Sequence, residues 1–313
     1  LGAANLLGYL LGALLAVRLS ERFDSRKLLG ISFAAIALSF ILCALPAAFS
    51  WFFIWRFISG FAGGLLMVVG PSVALTAIPP ERRGAVGSFV FTGIGMGAIL
   101  SASLIPMLLR FNLTAAWLVL GLLSLLAGLL ADWGLRRIAC KQAPATKPPE
   151  ANLPVPALGI AALLVVLAYG FDAAGFIPHT VFWVDFLDRE NALGTAAASF
   201  QWLLFGIGAI IGPLLAGFLG KRFGWHRSLA LGFFIKAVAI AIPLISITLF
   251  WRSASSLIVG IMVTGLVTLT SGRVMELVGP IAYKRVWGIG AVSFSSAQAA
   301  SGYGMSALYG VLG

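Results

Sequence analysis

Ten apolar runs separated by short polar connections make up most of the 313-residue chain. They lie at residues 1–17, 28–48, 51–78, 85–109, 113–132, 157–184, 195–219, 228–250, 254–272 and 287–311. About 20 apolar residues cross a bilayer as a helix, since each residue advances the helix by about 1.5 Å. Short alternating strands are absent from the sequence pattern. The sequence pattern therefore predicts an all-α integral membrane protein with about ten spans.

Charged residues concentrate in the connections, and strongly basic connections follow every second run. The basic connections contain Arg18 to Lys27, Arg82 and Arg83, Arg136 to Lys147, Lys221 to Arg227, and Arg273 to Arg285. The connections between them carry no charge, a single arginine, or the acidic group of Asp185, Asp188 and Glu190. By the positive-inside rule the basic connections are cytoplasmic, which places both ends of the chain outside.

Composition changes this picture little. Hydrophobic residues are 60% of the chain and charged residues 10%, which excludes an ordinary soluble protein. The formal charge of +11 would suggest a nucleic-acid partner in a soluble protein, but here it is spread over the connections and indicates topology instead. Cys43 and Cys140 form no metal-binding pattern, so neither a metal nor a cofactor is predicted.

The longest polar stretch divides the runs into two groups of five. Residues 136–156 contain five prolines and several charges, a composition typical of a linker. The predicted organisation is an N-terminal helical bundle over residues 1–135, a cytoplasmic linker over 136–156, and a C-terminal helical bundle over 157–313.

An internal repeat supports this division. Residues 8–29 and 208–229 align without gaps at an offset of 200, and nine of the 22 positions are identical. They include two glycines and the Arg-Phe pairs Arg22-Phe23 and Arg222-Phe223. Both copies run from outside to inside, so the repeat is parallel. In the first half the copy is the first run, whereas in the second half it is the second run. The first half is therefore one helix short at its start, and by the same symmetry the second half is one helix short at its end. We expect two six-helix bundles, of which the chain covers the second to the eleventh helix.

The connection after each copy resembles a signature of the major facilitator superfamily of secondary transporters. In that family, a glycine, an Asp-Arg pair and a second glycine precede basic residues. Here the first copy has Glu21 and Arg22, whereas the second has Lys221, Arg222 and Gly224. The resemblance implies that Glu21, Arg22, Arg222 and Gly224 form a conformational latch, and the alternative is a solvated loop that sets topology.

The third run strengthens the resemblance, because Arg56 precedes the glycines Gly60, Gly63 and Gly64 as in the family's fourth helix. Ser59 replaces the glutamine usual in drug–proton antiporters, and the antiporters' Gly-Pro pair is absent. The overall resemblance is to bacterial permeases of the YbfB/YjiJ type. It implies a monomeric secondary transporter in the bacterial inner membrane that moves a small solute by alternating access, coupled to protons and surrounded by lipids.

Asp172 is the leading candidate for a binding or coupling group. It lies about 14 residues into its run, close to the bilayer midplane. An ionisable residue at this depth is costly and usually functional. It shares a predicted helix face with Tyr169, Gly175, Phe176, His179 and Trp183. Pro178 predicts a kink that acts as an outer gate. The alternative for Asp172 is a structural ion pair or a polar contact with another helix.

Other polar residues at membrane depth have two readings each. Arg56 either extends to the outer headgroups or faces the cavity, where it holds a substrate anion or Asp172. His179 either binds substrate or lies at the interface, and Lys236 is interpreted as extending to the cytoplasm. Gln298, with neighbouring serines, either bonds a substrate or packs between helices.

Two other functions stay open at this point. A lipid flippase could use the same fold and basic loops. A membrane-bound enzyme needs clustered catalytic groups, and His179 and His226 lie on opposite sides of the predicted membrane. The sequence lacks the GxxxxGK[ST] phosphate-binding motif, which argues against ATP-driven transport.

Overall fold

The computed structural model describes residues 2–76, 78–141 and 159–312, and all its regular elements are helical. The α-helices are α1 (Gly2–Arg22), α2 (Ser25–Cys43), α3 (Phe49–Thr76), α4 (Pro80–Leu109), α5 (Leu113–Lys141), α6 (Ile160–Gly175), α7 (Trp183–Asp185), α8 (Thr195–Phe223), α9 (Trp225–Ile245) and α10 (Leu249–Leu312). Two π-helical segments, Pro178–Phe182 and Phe186–Glu190, flank α7. The predicted all-α fold is confirmed.

Nine helices in the described ranges are long and apolar enough to cross a membrane, so the count of ten is not confirmed. The difference lies in α10, which contains both the predicted ninth and tenth runs. Gly279 interrupts α10 with φ of 68° and ψ of 177°. A positive φ is easy only for glycine, so Gly279 separates a first arm, residues 249–278, from a second arm, residues 280–312.

Of the predicted linker, residues 136–156, the structure describes only residues 136–141. Helix α5 continues to Lys141, beyond the start of the 136–156 segment. Near this helix end, Asp132 forms two ion pairs. Its carboxylate lies 2.8 Å from Nε of Arg136 in the same helix and 2.6 Å from Nε of Arg26 in α2. Residues 142–156 lie outside the described residues, and the domain boundaries stay a prediction.

Helices α1 and α3 pack at very short distance because glycines line their contact. A Cβ atom on Gly8 would lie 2.1 Å from the carbonyl oxygen of Phe57, and one on Gly12 would lie 2.1 Å from that of Phe61. From the other side, a Cβ on Gly60 would lie 2.0 Å from the carbonyl oxygen of Asn5. Only glycine lets the two backbones approach in this way, as in small-residue contacts of membrane helices.

The same contact recurs 200 residues later between α8 and the first arm of α10. A Cβ on Gly208 would lie 2.3 Å from the Leu257 carbonyl oxygen, and one on Gly212 would lie 2.1 Å from that of Ile261. A Cβ on Gly260 would lie 2.1 Å from the Phe205 carbonyl oxygen. The connection before Pro80 likewise corresponds to the break before Pro280. The duplication therefore extends from the sequence repeat to the packing of two helices in each half and to the break that follows them.

The halves meet chiefly along two helix pairs, α4 with α8 and α1 with the second arm of α10. In the first pair, a Cβ on Gly95 would lie 2.4 Å from the backbone nitrogen of Ile210, and Trp202 Nε1 donates to Ser101 Oγ at 3.1 Å. In the second pair, a Cβ on Gly288 would lie 2.8 Å from a methyl group of Val17. By the offset of 200, these two pairs are equivalent to each other.

We expect Gly12→Ala to lower stability by about 1–3 kcal/mol, because the added methyl has no room against the backbone of α3. Gly30→Ala is the matched control, since a Cβ at Gly30 meets no atom within 4 Å. Thermal unfolding of both purified variants in detergent measures the difference. Equal melting temperatures would show that α1 and α3 are not held at this distance.

Candidate functional site

Asp172 and Lys236 form a buried ion pair between α6 and α9. Lys236 Nζ lies 2.7 Å from Asp172 Oδ1 and donates to Oδ2 at 2.8 Å. The Lys236 side chain is 2% exposed and that of Asp172 is 7% exposed. Two charges at this depth are stable only when they are paired, because lipid and protein solvate neither of them well.

The expectation that Lys236 extends to the cytoplasm is wrong. Its helix starts at Trp225, so Lys236 lies about 16 Å along α9 from that end. Its ammonium points into the bundle, where it also lies 4.1 Å from the centre of the Phe176 ring. A cation over an aromatic face gains further electrostatic stabilisation. The carboxylate of Asp172 and the ring of Phe176 therefore replace water around this charge.

Arg56 does not pair with Asp172, so that hypothesis is also wrong. Its guanidinium lies 5.5 Å from the ring centre of Phe40 and 6.0 Å from that of Trp117, between α2 and α5. Within the described ranges it has no carboxylate within ion-pair distance. Arg56 is held by two aromatic faces in the first half, whereas Asp172 is held in the second.

His179 lies inside the protein, since it is 3% exposed. Its Nε2 lies 2.8 Å from Ser255 Oγ, and that hydroxyl donates to the Ala239 carbonyl oxygen at 2.7 Å. The imidazole stacks on Trp183 with ring centres 4.7 Å apart. In the described part of the chain, His179 Nδ1 has no hydrogen-bond partner. His179 thus carries a free polar atom in the same half as the ion pair.

The backbone around His179 departs from an α-helix, as Pro178 predicts. Helix α6 ends at Gly175, and the chain continues through the π-helical segments to Glu190. π-Helical turns inside longer helices are frequent at functional sites. The role of this segment as an outer gate stays a prediction.

The predicted helix face of Asp172 extends from α6 into the segment that follows it. Tyr169, Phe176, His179 and Trp183 are buried, whereas Gly175 is exposed. Tyr169 lies 4.6 Å from Phe294 and 5.9 Å from Trp287 between ring centres. It belongs to an aromatic layer at the contact between the halves, and not to the ion pair.

A series of rings connects the ion pair to the first half of the chain. Phe176, which lies under Lys236, contacts Phe294 at 5.6 Å between ring centres. Phe294 contacts Tyr169, Tyr169 stacks on Trp287, and Trp287 contacts Phe91 of α4 at 6.0 Å. A change at the charged pair can thus reach the interface through packed side chains.

The structure also contains a polar residue that the sequence analysis did not single out. Gln201 of α8 is fully buried, and its Nε2 donates to Ser253 Oγ at 3.1 Å. Its Oε1 has no partner among the residues described. In the sequence, Gln201 could have been found as a side-chain amide inside an otherwise apolar run. By contrast, the predicted Gln298 is half-buried, and no hydrogen bond joins its side chain to a described residue.

The predicted latch residues lie on the basic side of the protein. Glu21, Arg22 and Arg222 are exposed, and none of them forms an ion pair within the described ranges. Gly224 has φ of 88° and separates α8 from α9. It makes the tight turn that a left-handed conformation allows. The latch itself stays a prediction.

Comparison with known proteins identifies the family. Residues 1–313 match the family described as uncharacterised MFS-type transporter YbfB. The chain belongs to this family of MFS-type transporters. The predicted superfamily is therefore confirmed, whereas the match over the full 313 residues does not confirm that the chain covers only the second to the eleventh helix.

Two curated relatives are transporters of the same type. A gallate transporter of Pseudomonas putida is 26% identical over 297 residues, which is 84% of this MFS-type chain and 65% of that protein. The uncharacterized MFS-type transporter YfiU of Bacillus subtilis (strain 168) is 33% identical over 131 residues, which is 42% of this chain and 25% of YfiU. The chain thus spans less than two thirds of either relative.

Solved structures share the fold of this MFS-type chain. The human organic anion transporter MFSD10 (TETRAN) superposes with a TM-score of 0.71 at 15% identity, over 99% of this chain and 76% of that one. The proton:xylose symporter XylE superposes with a TM-score of 0.71 at 17% identity, over 98% of this chain and 78% of XylE. Both comparisons establish a multi-pass membrane transporter fold.

We expect Lys236→Met to destabilise this MFS-type protein by about 3–5 kcal/mol, because it leaves the Asp172 carboxylate buried without a partner. The double variant Asp172→Asn/Lys236→Met should recover most of that loss, since it leaves no buried charge. Thermal unfolding in detergent measures both effects.

The matched control is the exposed ion pair of Asp185 and Arg189, whose side chains are 62% and 78% exposed. Arg189→Gln should change the melting temperature little, as exposed pairs contribute about 0–1 kcal/mol. A Lys236→Met protein as stable as this control would contradict the buried pair.

Proposed function

We propose that this protein carries a small solute across the bacterial inner membrane by alternating access, coupled to protons, as a monomer surrounded by lipids. The observation that carries this proposal is a transporter fold with a buried ion pair connected by packed rings to the interface of its halves. Rocking requires an interface that can separate, and a coupling group must be able to change charge.

Buried side chains of both halves pack together toward the basic side of the interface. A cluster of buried side chains joins Leu75 and Phe91 of the first half to Tyr169, Tyr283 and Trp287 of the second. Trp287 Nε1 also donates to the Met67 carbonyl oxygen at 3.2 Å. Toward the other end of the second arm, Tyr303, Leu308 and Tyr309 are exposed. This arrangement supports a state closed toward the cytoplasm.

Asp172 is the proposed proton acceptor. A proton on its carboxylate removes the negative charge and leaves the Lys236 ammonium without a counterion in a dry environment. The pair then has to separate, or Lys236 has to take another anion. Phe176 touches Lys236 and Phe294, so the separation moves the rings that reach the interface.

A carboxylate solute can supply that anion. The gallate transporter relative makes gallate the first solute to test on this protein. Its carboxylate matches the ammonium of Lys236, and its ring matches Tyr169 and Phe294. His179 Nδ1, Gln298 and Arg56 are further groups that can bind polar atoms of the solute. The relatives carry solutes, so the flippase and enzyme alternatives are not favoured.

The experiment is uptake of radiolabelled gallate into proteoliposomes, with and without a pH gradient. We expect the protein to accumulate gallate when a gradient is imposed. Asp172→Asn/Lys236→Met should lose at least about tenfold of gradient-driven accumulation and should also exchange gallate more slowly, because it lacks both the proposed proton acceptor and the ammonium proposed to hold the gallate carboxylate. A tenfold effect corresponds to about 1.4 kcal/mol.

The control Asp185→Asn/Arg189→Gln removes an exposed ion pair and should accumulate gallate normally. Accumulation by the buried-pair double variant at the control rate would make Asp172 and Lys236 structural. If the unaltered protein moves no gallate, the same assay with sugars, amino acids and cationic drugs tests transport itself, and failure on the whole panel would contradict the proposed function.

A further inference from the structure

A groove outside the interface of the halves runs along the second half, between α8, α9 and the first arm of α10. Its volume is about 330 Å³. Leucine, isoleucine and methionine side chains form its walls, among them Leu215, Leu219, Leu231, Ile235 and Met262. Gly212, Gly232 and Gly265 leave its floor without side chains. The groove therefore offers an elongated apolar surface.

The groove opens to the surface that faces lipid. Leu215 is 38% exposed, Leu231 is 56% exposed and Phe223 is 59% exposed, although all three are apolar. In a membrane protein such residues contact acyl chains. An occupant can thus enter sideways from the bilayer, without passing through the path proposed for the solute.

Two polar groups mark one end of the groove. Arg227 is exposed and lines it, and Ser228 beside it is only 7% exposed. The buried Oγ of Ser228 has no hydrogen-bond partner in the described part of the chain. A buried hydroxyl without a partner loses about 1–3 kcal/mol, so a ligand that bonds it is favoured.

The length of the groove matches one leaflet. From Phe223 at the basic end to Gly212 there are eleven residues of α8, or about 16 Å. Half of a typical hydrocarbon core is about 15 Å. An acyl chain that starts at Arg227 therefore ends near the bilayer midplane.

We propose that this groove binds a phospholipid with an anionic headgroup from the cytoplasmic leaflet. One acyl chain lies along Leu219, Leu231 and Met262, and the phosphate lies on the guanidinium of Arg227. The hydroxyl of Ser228 donates to an oxygen of the phosphate or of the adjacent ester. Cationic side chains at a helix end on the cytoplasmic side are a known means of holding anionic lipids.

The occupied groove joins three helices. Helix α8 contacts the first half through α4, and the first arm of α10 carries Ser255 and Ser256, which bond His179 and Trp183. A lipid held between α8, α9 and α10 fixes the scaffold around the ion pair. We therefore expect it to stabilise the protein independently of any transported solute.

The test is binding of phosphatidylglycerol to the purified, delipidated protein, followed by native mass spectrometry and thermal unfolding. Three further compounds are compared with it. Lysophosphatidylglycerol tests whether one acyl chain is enough, phosphatidylcholine tests the headgroup charge, and glycerol 1-phosphate tests the headgroup without acyl chains. We expect phosphatidylglycerol and its lyso form to bind and raise the melting temperature. Phosphatidylcholine should bind more weakly, and glycerol 1-phosphate should not bind.

Arg227→Gln should weaken phosphatidylglycerol binding about fivefold, the effect of removing one cation near the surface. Lys221→Gln is the matched control, because Lys221 is exposed on the same basic side but does not line the groove. A phosphatidylglycerol with a photoactivatable acyl chain should label Met262.

Four results would overturn the proposal. Equal binding of phosphatidylglycerol and phosphatidylcholine would show that the guanidinium of Arg227 does not select an anionic headgroup. Equal losses in Arg227→Gln and Lys221→Gln would indicate diffuse attraction to the basic surface. Labelling outside the groove, or a dimer that excludes lipid from it, would mean that another occupant covers this face.

Discussion

The structure depends on one constraint, which is that the hydrocarbon interior of a bilayer solvates neither backbone polar groups nor charges. Helices satisfy the backbone, and close packing of one helix on another then decides which side chains are hidden from lipid. The Asp172–Lys236 pair is the sharpest consequence, because both ions lie at membrane depth and each is nearly inaccessible. Their mutual contact, with the ring of Phe176, makes the burial tolerable. A proton that removes one of these charges necessarily disturbs the packing around the other.

Duplication explains the frame that holds this pair. The same glycine contacts recur at an offset of 200, as Gly8 with Phe57 and Gly208 with Leu257 show. One polar contact also recurs, with the donor and acceptor positions exchanged. Ser39 Oγ donates to the carbonyl oxygen of Trp55, and at the equivalent positions Ser255 Oγ donates to that of Ala239.

The halves differ in their polar centres. Lys236 takes the place of Ile36, and Ser256 takes that of Arg56. One ancestral bundle thus provides two distinct sites, a guanidinium between aromatic rings in the first half and an ion pair with a histidine in the second. The second site is connected, through Phe294, Tyr169 and Trp287, to side chains of the other half.

Much of this architecture follows from sequence, and the limits have a physical reason. Length and hydropathy determine where helices begin and end, and the repeat shows which helices are equivalent. The depth of Asp172 and Lys236 can also be counted along the chain. Their pairing cannot, because it depends on how α6 and α9 are rotated relative to each other. The same reason explains why Arg56 was assigned the wrong partner.

The break at Gly279 shows a second limit. Charges at Arg273, Lys284 and Arg285 predict a long connection, yet these residues are helical. Long side chains let a helix continue beyond the hydrocarbon, so charge marks the membrane boundary and not the helix end. The groove at Arg227 likewise depends on three helices that approach in space, which no single run of sequence reveals.

We propose that charge at the Asp172–Lys236 pair controls the separation of the halves on the basic side. This separation is measured as the distance between spin labels at Arg18 and Arg285, both exposed, in lipid nanodiscs, with Cys43 and Cys140 replaced by serine. We expect acidification to shift this distance distribution to longer values, and Asp172→Asn/Lys236→Met to abolish the shift. A distribution that ignores pH, or that shifts equally in the double variant, would contradict it.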